Sequence, residues 1–201
     1  MQNSLRFRKF VQAMTALVST SDVVETALLD EGSRLLADLL EHDDWLPADL
    51  SRSSAESYRS YLLHCDPLER FCVVSFVWEP GQRTPVHDHL TWGLVGQLRG
   101  EERCDEYAAL REGGYACTGT HRMRAGQIDR VSPRVGDIHA VSNASDAVAV
   151  SIHVYGTNIG ASQRHLFDPR TGAARPFVSG YHNAWLPNVW APPRESLEAT
   201  T

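Results

Sequence analysis

His87 and His89 flank Asp88 in the run Pro85-Val86-His87-Asp88-His89, a spacing that can present two imidazoles to one metal ion. In extended backbone alternate side chains share a face, so both rings would point one way and Asp88 the other. Pairs of this kind also lie on solvated strands, and the spacing alone does not decide between the two settings. A metal would need a third ligand from elsewhere in the chain. His139, in Gly136-Asp137-Ile138-His139, follows a turn signal and heads another apolar run. Further on, Ser151, His153 and Tyr155 alternate with Ile152 and Val154, which gives one polar and one apolar strand face. By pattern alone, the polar face could be a cluster whose members satisfy one another inside a barrel.

Residues from about Leu5 to Leu40 read as two or three helices: Phe7, Phe10, Val11, Met14, Leu17 and Val18 keep helical spacing, and Leu35, Leu36, Leu39 and Leu40 form a second stripe. From Arg70 the period changes to short apolar or alternating runs broken by Gly and Pro. They span Phe71 to Trp78, Trp92 to Leu98, Glu102 to Ala108, Gly126 to Val131, Ile138 to Val141 and Ala147 to Tyr155. Many short strands with polar turns predict an antiparallel sandwich or barrel. The expected organisation is a single domain over 1–201, with a helical lead to about residue 50, a β-barrel over 70–190 and a loose tail over 191–201.

Hydrophobic residues make up 42% of the 201 and charged residues 22%, which is enough apolar material for one core, and no apolar run is long enough to span a bilayer. A formal charge of -6 without a basic stripe argues against nucleic acid. Cys65, Cys72, Cys104 and Cys117 show no C-x-x-C spacing, and no secretory leader precedes the first helix, so a reducing cytoplasm is the expected compartment. Leu5 to Phe10 lacks acidic residues, as transit peptides do, but an amphipathic helix is the better reading. Oligomeric state is open to a homo-oligomer.

Gly81-(x5)-His87-x-His89-(x3)-Gly93-(x6)-Gly100 resembles the first cupin motif, and Gly126-(x6)-Pro133-x-x-Gly136-x-x-His139-(x3)-Asn143 resembles the second, with one extra residue on either side of the proline. Gly93 stands where many cupins carry a glutamate ligand. The three neutral imidazoles left by that change are the pattern of the thiol dioxygenases, the cysteine dioxygenase family. Tyr61-Leu62-Leu63-His64, Ser75-Phe76-Val77-Trp78, Ser151 to Gly156 and Tyr181 to Trp190 are most similar to its bacterial 3-mercaptopropionate branch. The resemblance implies a mainly β fold, a small jelly-roll cupin barrel with an N-terminal helical segment. It also implies iron(II) on His87, His89 and His139, O2 and a small thiol-carboxylate as substrates, and a sulfinic acid as product. Three neutral ligands leave the full dipositive charge to attract a thiolate.

In the family, Ser151, His153 and Tyr155 resemble a relay that brings a phenol close to the metal. Because Gly93 occupies the position of the cross-linking cysteine in the animal enzymes, no thioether cofactor is expected, and Cys104 and Cys117 are read as small apolar fillers. Arg164 corresponds to the family's carboxylate anchor, a role that suits the rigid guanidinium fork. Before Tyr61, where cysteine-specific enzymes have arginine and mercaptopropionate enzymes glutamine, this chain has Ser60 preceded by Arg59. Ser60 leaves room for a bulkier thiol such as mercaptosuccinate; Arg59 would reach the pocket only if the strand began with a turn. Other readings stay open: His153 as ligand in place of His139, Arg164 in a surface ion pair, zinc in the triad, and a cupin that binds a ligand without oxygen chemistry.

Overall fold

The computed structural model describes residues 4–21 and 23–190; the expected tail over 191–201 lies outside them. Helix α1 spans Ser4–Val18 and α2 spans Glu25–Leu40, followed by one 3-10 turn over Ala48–Ser51. The strands are β1 (Arg59–Cys65), β2 (Cys72–Trp78), β3 (Val86–His87), β4 (Gly93–Arg99), β5 (Glu101–Ala109) and β6 (Tyr115–Arg124), then β7 (Ile128–Val131), β8 (His139–Asn143), β9 (Ala149–Tyr155), β10 (Arg164–Phe167) and β11 (Ala174–Phe177).

One sheet has the order β1-β2-β9-β4-β7 and the other β11-β10-β3-β8-β5-β6. Every named pairing is antiparallel, and neighbours such as β2 and β9, or β3 and β8, are far apart in sequence. Two facing sheets joined by such crossovers form the double-stranded β-helix of the cupin barrel. The sheets start before the change of period at Arg70, because β1 already pairs with β2 from Arg59.

The register decides which side chains enter the barrel. His153 of β9 lies opposite Val74 of β2 and Val95 of β4, and Ser151 lies opposite Phe76 and Gln97, so these positions share the inner face. On the other face Val73, Val77, Leu94, Leu98, Val150, Ile152 and Val154 join one apolar cluster with Phe7, Phe10, Met14, Leu36 and Leu40. The two helices thus cover the outside of this sheet, which is why its outer positions are apolar and its inner ones can be polar. Their approach is close. A Cβ on Gly96 would stand 2.6 Å from Leu40 Cδ1.

Candidate metal centre

His87 and His139 are cross-strand partners on β3 and β8. Regular pairing of β3 ends at His87, yet the alternation carries on for two residues: Asp88 turns outward to accept from the His165 backbone N–H at 2.7 Å and to bond its Nδ1 at 2.8 Å, and His89 turns inward. The three rings form a nearly equilateral triangle, with centroids 4.9, 4.8 and 4.8 Å apart. One nitrogen from each comes within 4.8 Å of the others.

Each imidazole is oriented from behind. His87 Nδ1 meets the Pro85 carbonyl at 3.1 Å, His89 Nδ1 meets Asp137 Oδ1 at 3.0 Å and His139 Nδ1 meets Cys104 Sγ at 3.4 Å. With the Nδ1 atoms engaged, the Nε2 atoms are free to ligate, and His89 Nε2 is buried without a partner. Burial, with the neighbouring imidazole next, pushes the His87 pKa down to about 3 and holds His139 well below its ordinary value. All of this fits a divalent cation: preoriented imidazoles with an orphaned nitrogen among them. Asp137 also accepts the backbone N–H groups of His89 and Leu90, which pins Leu90 at a left-handed φ of 58°.

Among the described residues no carboxylate belongs to this group. Gly93 lies opposite Tyr155, and a Cβ there would stand 2.8 Å from both Tyr155 Cδ1 and Val131 Cγ2. The glycine therefore leaves space for the tyrosine ring, which stacks on His89 at 5.3 Å. From Tyr155 a hydrogen-bonded line runs inward: Tyr155 hydroxyl to His153 Nδ1 at 2.7 Å, His153 Nε2 to Ser151 Oγ at 2.8 Å, and Trp78 Nε1–H to Ser151 Oγ at 3.3 Å. Burial raises the Tyr155 pKa and lowers that of His153, so both stay neutral.

A cavity of about 270 Å³ opens on His87 and His139 of the triad, walled by Phe76, Trp78, Leu166 and Phe177 together with His153 and Tyr155. Arg164, the first residue of β10, enters it almost completely buried. Its guanidinium lies 4.5 Å over the Phe177 ring and donates to Ser179 Oγ at 2.9 Å, while its Nε has no partner. Among the described residues it makes no ion pair, since Asp88 offers it only a backbone carbonyl at 3.5 Å. Ser60 also lines the cavity, with its Oγ 3.2 Å from His182 Nδ1.

Two expectations need correction. Arg59 does not reach the cavity: regular pairing starts at Arg59 itself, opposite the outward-facing Val77, and the guanidinium donates to Ser54 Oγ at 2.7 Å and to Glu56 at 3.2 Å. Tyr58, two residues before Ser60, lines the wall on that side. Cys104 is buried, in keeping with a filler, and its thiol also touches His139, but Cys117 is exposed and fills nothing. Sequence reasoning missed Tyr58, Ser179 and His182, and it met Asp137 only as part of a turn.

Fold and site together define a cupin with a metal-competent three-histidine centre. Residues 65–170 match the model of the family described as cysteine dioxygenase type I, and the chain belongs to that family of cupin thiol dioxygenases. Similar solved structures include a protein from Thermus thermophilus, 23% identical over 54% of this chain and 91% of that one, with a TM-score of 0.43. A cupin superfamily protein from Desulfitobacterium hafniense is 14% identical over 58% and 94%, with a TM-score of 0.44. A double-stranded β-helix protein from Klebsiella pneumoniae is 18% identical over 54% and 80%, also at 0.44.

Proposed function

We propose that this protein is an iron(II)-dependent dioxygenase that converts a small carboxylate-bearing thiol, 3-mercaptopropionate above others, and O2 to the sulfinic acid. The observation that carries the reading is a cavity onto which His87 and His139 of the three-histidine centre open beside a buried guanidinium that has no anionic partner among the described residues. A buried charge demands a counter-ion, and a substrate carboxylate supplies one. The reaction balances without a reductant, since RSH and O2 contain every atom and electron of RSO2H.

His87, His89 and His139 would hold the metal. When bound, iron(II) would supply the centre at which the thiolate and O2 are brought together. Arg164 would fix the carboxylate by a two-pronged bond, with Phe177 keeping the guanidinium plane in place. Tyr155 would steady charge developing at the reacting atoms, and His153 and Ser151 would hold its hydroxyl in position. Phe76, Trp78 and Leu166 would exclude bulk water, which strengthens each of these interactions. The four free cysteines fit a reducing cytoplasm.

Mercaptosuccinate is the competing substrate, because Ser60 and His182 offer hydrogen-bonding groups for a second carboxylate. Cysteine ranks lower, since no arginine stands in place of Ser60. A cupin that only binds a ligand would have no use for the line from Tyr155 to Ser151, and zinc in the triad would give no oxygen uptake. Metal analysis with oxygen consumption across 3-mercaptopropionate, mercaptosuccinate, cysteine and cysteamine tests the reading. We expect iron, uptake with the carboxylate thiols and loss of both in His139→Ala. A fully active His139→Ala enzyme, or cysteamine as best substrate, contradicts it.

A further inference from the structure

Glu102, on β5, is completely buried, and neither carboxyl oxygen has a hydrogen-bond donor in line. It abuts Ser151, Trp78 and Gln97, all on the inner face of the opposite sheet. A carboxyl so placed is therefore next to the inner end of the line that runs through His153 to Tyr155. Nothing in the proposed reaction uses it.

We propose that Glu102 is the terminal proton store of that line and that its protonation sets which way each hydrogen bond points, and so whether Tyr155 donates into the cavity. The purpose rests on the dioxygenase reading, but the device itself does not. Two arrangements of the line are compatible with the Trp78 Nε1–H donation to Ser151 and with one N–H on neutral His153. With Glu102 ionised, Ser151 donates to the carboxylate, His153 Nε2–H donates to Ser151, and the Tyr155 hydroxyl donates to His153 Nδ1. The phenol then has no proton for the cavity. With Glu102 protonated, the carboxyl donates to Ser151, Ser151 donates to His153 Nε2, and His153 Nδ1–H donates to the phenol oxygen. The Tyr155 hydroxyl is then free to donate to a ligand.

Passage between the two states conserves protons. Tyr155 takes one from water in the cavity and gives its own to His153 Nδ1; His153 passes its Nε2 proton to Ser151, and Ser151 passes its proton to Glu102. The reverse sequence delivers one proton to the cavity from the phenol. Burial, partly offset by Ser151, Trp78 and Gln97, pushes the Glu102 pKa up to about 7. The ionisable groups that bear on it are Asp129 of β7, Cys104 of its own strand and Tyr155; Asp129 is itself paired with His121.

Metal-free protein tests this without turnover. Difference infrared spectra should contain a carboxylic acid carbonyl band that titrates near neutrality and is lost in Glu102→Gln. In protein with nitrogen-15 histidine, the His153 signals, identified by their loss in His153→Gln, should move from Nε2-protonated to Nδ1-protonated as pH falls across about two units either side of neutrality. The tautomer should be fixed at every pH in Glu102→Gln. Ser151→Ala should keep the carbonyl band but uncouple the His153 tautomer from it. A His153 tautomer that ignores pH in the wild type, or still follows it in Ser151→Ala, overturns the proposal, as does the lack of any titrating band sensitive to Glu102→Gln. Failure to form sulfinate from any thiol would instead sink the dioxygenase reading and leave these titrations standing.

Discussion

In the proposed reaction substrate choice turns on Arg164. A buried guanidinium with one free Nε and a single side-chain acceptor is costly alone and would be satisfied by a ligand carboxylate. Arg164→Ala should lower kcat/KM for carboxylate thiols by about 10- to 100-fold, the loss of one charged hydrogen-bonding partner worth about 1.5 to 3 kcal/mol. Cysteamine turnover should fall much less, and steady-state oxygen uptake measures both. Ser60 and Arg59 show how far single letters can be read. Strand alternation correctly separates their faces, but only the pairing of Arg59 with Val77 says where regular structure begins. His182 gave no local signal, because it reaches Ser60 from the other end of the chain.

At the scale of elements, β4 and β9 are coupled through the contact of Gly93 with the Tyr155 ring. Gly93→Ala should push the ring out of place while leaving the three ligands where they are. We expect kcat to fall about 10-fold or more with bound metal unchanged, checked by metal analysis beside a rate assay; equal loss of metal would mean that the strand itself had moved. The alternation of β9 and the His-x-His spacing that runs on past β3 were legible because extended chain displays its period directly. β6, β10 and β11 were not: β6 buries only Met123, β10 is only four residues long, and β11 contains Pro176. Glu102 sat within a legible strand, but what it faces is decided by the opposite sheet.

Over the whole molecule, several buried groups hold their neutral forms against water, and this sets the response to pH. His87, His139 and His153 have folded-state pKa values below the ordinary 6.5. The unfolded chain therefore binds more protons at these sites as pH falls below 6.5, and stability is lost. Glu102 acts oppositely: its raised pKa favours the folded state below 4.5, and that contribution disappears as pH rises towards 7. Three groups outweigh one. Between pH 6.5 and 4.5 these four groups together should cost the metal-free protein at most about 2.7 kcal/mol per pH unit, measured by urea unfolding; stability that rises in this window would contradict the neutral forms of His87, His139 and His153. A divalent metal at about one hundred times its Kd should add about 2.7 kcal/mol, or about 5 to 10 °C in Tm, and His139→Ala should abolish the gain.

In the proposed reaction both atoms of O2 enter the substrate sulfur. Turnover of 3-mercaptopropionate by the iron-loaded protein under oxygen-18 gas, followed by mass spectrometry of the product, tests it most directly. The account predicts a sulfinate with both oxygens labelled. A disulfide, a sulfinate with label in one oxygen only, or hydrogen peroxide in place of a sulfinate would contradict it.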